Sequence, residues 1–168
     1  MGYTSLKFKN IEKYLINILL LIVGNQNIAR YVMRLDNDPL DSTKPDVFDD
    51  LIELKNVIPT MFDNTITEYS EVKIFLYPAR GSLQGKPLGD VYMNVDILVP
   101  DICNLLEGKG QFRTFRIADE ITQMVDGQSE IAGCGQMNVV DFINYKLPNT
   151  NYCTLSMRIL INSVTLKV

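Results

Sequence analysis

Tyr152-Cys-Thr-Leu-Ser-Met-Arg-Ile-Leu-Ile-Asn162 is the longest clean alternation in the chain. Cys153, Leu155, Met157, Ile159 and Ile161 fall on one side; Thr154, Ser156, Arg158 and Asn162 fall on the other. A period of two with one apolar side is the signature of a strand with one buried face. Working backward, Tyr145-Lys-Leu-Pro-Asn-Thr-Asn151 reads as a turn, and residues 136–143 as a strand. In residues 71–77, Val72, Ile74 and Leu76 alternate with Lys73, Phe75 and Tyr77. In residues 90–99, Val91, Met93, Val95 and Ile97 alternate with Tyr92, Asn94 and Asp96. The twelve residues between these two strands hold three glycines, two prolines, Arg80 and Lys86. They predict a long projecting hairpin loop joining an antiparallel pair.

The rest of the chain changes period. Asn10 is placed to cap a helix starting at Ile11, and Ile11, Tyr14, Leu15, Ile18, Leu19 and Ile22 recur at helical spacing. Leu20, Leu21 and Val23 widen that stripe until little polar surface is left, so the helix is expected to be buried or covered by another chain. Gly24 fits its end, and a shorter helix over about residues 27–35 places Ile28, Tyr31, Val32 and Leu35 on one face. Residues 112–126 return to helical spacing, with Arg116 and Glu120 as an i,i+4 pair and Gly127 as the stop. Between residues 36 and 53 seven acids accompany a single base, Lys44, and two prolines. This predicts an irregular acidic segment with one helical turn over about residues 47–54, continuing as a loop to about residue 70. Loops of that length in compact domains usually bind something.

The resulting order predicts an α+β fold: a mostly antiparallel four-stranded sheet, helices on one face, and a long hairpin loop between the first two strands. The 168 residues suit one domain. It divides into a helical part (residues 1–35), an acidic irregular part (36–70) and a sheet with one helix (71–168).

Composition narrows the chemistry. The chain has no histidine, so Ser-His and Cys-His nucleophiles and His-ligated metals are excluded. Cys103, Cys134 and Cys153 are widely spaced and lack a Cys-x-x-Cys pair, and they read as reduced structural thiols. A net charge of −4 offers no general field for phosphate. Arg80-Gly-Ser-Leu-Gln-Gly-Lys-Pro87 fails as a phosphate loop, because its glycines are one residue too close and Pro87 stands where a hydroxyl is needed. Asp36-Asn-Asp-Pro-Leu-Asp41 opens like a calcium loop but has Asp41 for the required glycine and Val47 for the closing glutamate. Gly133-Cys-Gly135 lacks the third glycine of a dinucleotide fingerprint and reads as a bulge or a close backbone approach. Asp119, Glu120 and Asp96 are the carboxylates an enzyme would need, and no partner can be named for them. The expectation is therefore a protein without catalysis, metal or cofactor. The apolar run over residues 14–23 is too short to cross a bilayer, and no cleavage site follows it, so a cytoplasmic site of synthesis is expected.

Several phrases occur in a telling order: an apolar helix leading into Gly24-Asn-Gln-Asn-Ile-Ala-Arg30, then Asp50-Leu-Ile-Glu53 and Val57-Ile-Pro59, Glu71-Val-Lys-Ile-Phe-Leu-Tyr77, Val95-Asp-Ile-Leu-Val99, Arg113-Thr-Phe-Arg-Ile-Ala-Asp-Glu-Ile-Thr-Gln-Met124, and Gly133-Cys-Gly-Gln-Met137. This pattern resembles the neck proteins of tailed bacteriophages, the head–tail connector and tail terminator (tail completion) group. The resemblance runs over nearly the whole chain and contains no catalytic signature. It implies a virion protein that forms a sixfold or twelvefold ring of its own copies, contacts neighbouring portal, connector or tail-tube proteins, and lets the genome pass without reading its sequence. Asn25, Arg30, Pro59, Asp96, Arg113 and Gly135 match the group's recurring phrases as structural or contact positions. The expected subunit or partner contacts are Arg80, Lys86, Arg30, Asp49, Asp50 and Arg113. The alternative reading is a non-viral soluble adaptor or ligand-binding domain using the cleft between the first helix and the sheet.

Overall fold

The computed structural model describes residues 8–47, 56–61, 70–82, 90–106, 110–128 and 135–162. Helix α1 (Phe8–Gly24) leads into α2 (Gln26–Met33), with a 74° bend between them. Then come strands β1 (Val57–Ile58), β2 (Lys73–Ser82) and β3 (Asp90–Pro100). A short helix α3 (Asp101–Asn104) precedes a small hairpin, β4 (Leu105–Leu106) with β5 (Gln111–Phe112). Helix α4 (Arg113–Val125) and the strands β6 (Gln136–Lys146) and β7 (Tyr152–Asn162) complete the chain.

The main sheet has five strands in the order β1-β2-β3-β7-β6. Pairing is antiparallel except at β1, which runs parallel to β2. The sheet is therefore mixed and five-stranded, not antiparallel and four-stranded. The missed strand is two residues long, too short to show a period. Its anchor is Asn56, whose carbonyl accepts the Ile74 N–H at 2.7 Å and whose side chain donates to the Val72 carbonyl at 2.8 Å. β2 also continues to Ser82, past a register shift between Pro78 and Arg80, and so takes up part of the expected loop. The expected helical turn over residues 47–54 lies almost wholly outside the described residues, as do the tip of the hairpin loop and Cys134.

All three long helices cover one face of the sheet. Tyr14, Ile18 and Ile22 of α1, Ile28 and Val32 of α2, and Ile117, Ile121 and Val125 of α4 meet Ile74, Leu76, Met93, Val95, Ile97, Leu155, Met157, Ile159 and Ile161 in one buried cluster. Each such side chain contributes roughly 1.5–3 kcal/mol on burial. These are the alternate positions read from the sequence as inward. The other sheet face carries a second, smaller cluster of Phe75, Leu98, Leu147 and Tyr152.

The helix ends follow local chemistry. Asn25 caps α2, its side-chain oxygen accepting the Ile28 N–H at 3.0 Å. α1 begins at Phe8, so Asn10 lies inside the helix and is not its cap. Gly127 at φ +72° ends α4, a conformation that suits a residue without Cβ, and its N–H reaches the Met137 carbonyl at 2.8 Å. Among the described residues no single helix is long and apolar enough to cross a membrane. α1 is not fully covered: Ile16 and Leu20 are exposed on its outer side.

Candidate interaction surface

Two arginines shape the acidic segment, and sequence reading assigned neither of them that task. Arg34 follows the last turn of α2 and is buried. Its guanidinium donates to the carbonyls of Pro39 at 2.7 Å and Asp41 at 3.2 Å, and also to that of Pro45. Arg113, the first residue of α4, is 0% exposed. It donates to the carbonyls of Cys103 (2.8 Å), Tyr31 and Arg34 (2.6 Å each) and Asp36 (2.5 Å). Tyr31 and Arg34 lie at the carboxyl end of α2, where the helix leaves carbonyls unsatisfied and carries partial negative charge. The planar fork of a guanidinium can serve several such oxygens at once. Burial lowers the Arg113 pKa, against which Cys103, Asp36 and Tyr31 act. Arg113 was expected at a subunit contact. The structure seats it inside the subunit, where it joins α2, α3, α4 and the start of the acidic segment.

Among the described carboxylates of that segment, Asp36, Asp38 and Asp46 are exposed and Asp41 is half-buried. Lys44 pairs with Asp36 at 2.9 Å and donates to the Asp38 carbonyl at 3.0 Å; Thr43 donates to Asp41 through both backbone and hydroxyl. The Lys44 hydrogen bond holds the Asp36 carboxyl below its usual range, and the Thr43 backbone does the same for Asp41. Arg30, an expected contact residue, pairs with Asp46 at 2.7 Å on the surface. An exposed pair of this kind contributes at most about 1 kcal/mol. Asp49, Asp50 and Lys86 lie outside the described residues.

Arg80 is exposed on β2, directly opposite Tyr92 of β3. With Ala79, Tyr92, Val140, Asp141 and Arg158 it lines a shallow cleft of about 480 Å³ on the sheet face away from the helices. Arg158 lies over the Tyr92 ring at 5.9 Å and pairs with Asp141 at 3.4 Å. Arg80 and Arg158 are both exposed at this polar hollow, and Arg158 is engaged with Asp141 and Tyr92. A second hollow of about 190 Å³, between Phe115, Ala118 and Thr122 of α4 and Val139, Phe142 and Met157 of the sheet, is smaller than the usual small-molecule site.

The carboxylates considered for acid–base work are engaged elsewhere. Glu120 accepts from Asn27 at 3.0 Å and from Asn25 at 3.5 Å, which ties α4 to the start of α2. Asp119 accepts from Gln123 on its own helix. Asp96 is buried and accepts the Tyr77 hydroxyl at 2.7 Å, and Asn94 donates to that hydroxyl at 3.3 Å. Burial, reinforced by the Asp96 carboxylate, pushes the Tyr77 pKa up to about 12. Tyr31 and Tyr145 shift the same way, mainly through burial. A raised folded pKa means that the folded state holds the proton more tightly. The contribution is complete below pH 10 and is lost as pH rises toward 12. Stability is expected to fall across that window, and Tyr77→Phe should make the fall shallower; chemical denaturation at pH 9, 10, 11 and 12 measures it. Cys103 and Cys153 are reduced, and burial raises both thiols, which leaves them poor nucleophiles at neutral pH. No group of three or more potential metal ligands occurs among the described residues.

Comparison with known proteins gives one family. The model of the family described as YomW matches residues 25–161, well over half of the chain. No curated protein matches the chain.

Proposed function

The chain belongs to the YomW family, and on that premise we propose that it is a structural component of a tailed-phage particle, self-associating into a ring in the neck. Membership in this family is consistent with a phage protein. The ring would join the portal or head to the tail and leave a passage for the genome. The observation that carries the reading is the presence of two unlike, pre-shaped surfaces on one subunit. One is the exposed part of β2 over residues 79–81, with Arg80; the other is the acidic stretch over residues 36–47, held by Arg34 and Arg113. A closed ring needs head-to-tail contacts, in which one surface meets a different one on the next copy. The exposed Ile16 and Leu20 on α1 add an apolar strip of the kind such contacts cover. The engagement of Asp96, Asp119 and Glu120 in internal hydrogen bonds supports a role without catalysis.

Native mass spectrometry over a concentration series, with negative-stain imaging, tests the reading. The expected result is a closed species with one fixed subunit number, formed in solution or on a purified particle platform. The double variant Arg80→Glu, Lys86→Glu is expected to abolish that species while the far-ultraviolet circular dichroism and melting temperature stay unchanged. Rings of unaltered number from the double variant would remove that part of β2 from the account. Absence of the protein from purified particles would overturn the neck assignment.

A further inference from the structure

We propose that the hollow between Arg80 and Arg158, on the sheet face without helices, binds the phosphate group of a small phosphate monoester. Two β-bulges build it. The ladder of β2 against β3 pairs Pro78 with Met93 and then Arg80 with Tyr92, which leaves Ala79 as an extra residue. The ladder of β6 against β7 pairs Val139 with Ile159 and then Asp141 with Arg158, which leaves Val140 as another. Met93 and Ile159 are themselves partners, so the two insertions flank one rung of the sheet from opposite sides of the β3–β7 pair. Both extra residues line the hollow of about 480 Å³.

Each bulge also decides where a charged side chain stands. Successive residues of a strand alternate between its two faces, and a slip of one residue exchanges them. Met137 and Val139 pack under the helices, and unbroken alternation would send Asp141 there too. Tyr77 packs on the opposite face, and unbroken alternation from it would send Arg80 to the helix side. The bulges instead set Arg80 beside Tyr92 and Asp141 beside Arg158 on the open face. β2 and β6 are not neighbours in the sheet, so two separate strands each carry an irregularity that serves one place. Re-aiming of side chains next to a site is a recurrent use of bulges.

The chemistry of the hollow suits an oxyanion. Each guanidinium carries five N–H donors. Among the described residues, the side chains of Arg80, Arg158 and Tyr92 make no hydrogen bond. The Arg158–Asp141 ion pair, at 3.4 Å, contains none, and the Arg158 guanidinium lies over the Tyr92 ring at 5.9 Å. Arg80 and Arg158 stand on β2 and β7, either side of β3, two strand spacings or about 10 Å apart at the backbone. Forks converging from opposite sides fit a tetrahedral anion, whose oxygens point several ways. A carboxylate presents two oxygens in one plane, enough for a single fork. The chain carries a net charge of −4, and Asp141 lines the hollow; both disfavour a polyanion such as nucleic acid and leave a small ligand. The volume lies in the range of small-molecule sites.

The full chain is titrated at constant ionic strength with inorganic phosphate, glycerol phosphate, acetate and a single-stranded oligonucleotide, and followed by nuclear magnetic resonance of the arginine side chains. The expected result is saturable binding of both phosphates that shifts the Arg80 and Arg158 guanidinium signals. Arg80→Ala and Arg158→Ala should each weaken binding about tenfold or more, the weight of a hydrogen bond to a charged group. The melting temperature should stay unchanged. Arg80→Lys keeps the charge without the fork, so its affinity should fall between; it carries the test if an alanine variant fails to fold. Asp141→Asn removes the opposing charge and should tighten binding. Absence of saturable phosphate binding overturns the inference, as does binding indifferent to the arginine substitutions. Acetate bound as tightly as phosphate overturns the choice of a tetrahedral anion. An oligonucleotide bound more tightly than glycerol phosphate overturns the choice of a small ligand. The titration reads a single subunit, so its outcome is separate from whether rings form.

Discussion

Replacing Arg113 with methionine is expected to lower the unfolding free energy by more than about 3 kcal/mol. Methionine fills much of the same space, so the loss is not one of volume. Four carbonyl oxygens, from Tyr31, Arg34, Cys103 and Asp36, lose their donor together. Hydrogen bonds from a charged group contribute roughly 1.5–3 kcal/mol each, and acceptors left buried carry their full desolvation cost. Arg113→Lys should recover only part, because an ammonium is a single point and cannot span oxygens contributed by three separate segments. Urea unfolding checks the magnitude. Hydrogen exchange checks the place: the carboxyl end of α2 and residues 36–47 should lose protection first. A change under about 1 kcal/mol would mean that those oxygens find water or other donors.

Phe75→Ala is expected to cost about 3–5 kcal/mol, although its side chain lies on the sheet face without helices. Phe75 is 2% exposed and packs with Leu98, Leu147 and Tyr152. Leu147 and Tyr152 come from the β6–β7 connection and the start of β7. The small cluster therefore closes one end of the sheet by folding that hairpin over β2 and β3. Removing the ring leaves a cavity that strands fixed by their ladders cannot collapse to fill. Ile16→Ser on the exposed side of α1 is the control, with an expected change within about 0.5 kcal/mol. A comparable loss from both variants would mean that the second cluster adds little beyond surface burial.

The strands β2, β3 and β7 were legible because each is long enough to show alternation and has one face under helices. β6 was read over residues 136–143, and its last three residues were missed. From Val140 onward both of its sides are exposed, so the pattern that marks a half-buried strand fades although the strand continues to Lys146. β1 was illegible at two residues, and so were α3, β4 and β5, which are set by tertiary contacts such as the Asn56 bonds. The expected contacts were read from charge; Arg80 is exposed on β2, whereas Arg113 is 0% exposed inside the subunit. Sequence shows that an arginine opens a helix, a position usually disfavoured by the helix dipole. That oddity was the available signal that the side chain serves carbonyls from another element. Arg34 gave no such hint, because in the helix read over about residues 27–35 it is a cation in the last turn, where the dipole favours one.

The way Arg34 and Arg113 hold the acidic segment has an evolutionary consequence. Both grip it through main-chain oxygens, which every residue type supplies. The path of the chain is therefore insensitive to which side chains it displays. Asp38 and Asp46 can drift to neutral or basic residues, and the loop keeps its course. Related proteins can thus re-key this surface to a new neighbour by point mutation alone, while the cast that sets its shape is inherited unchanged.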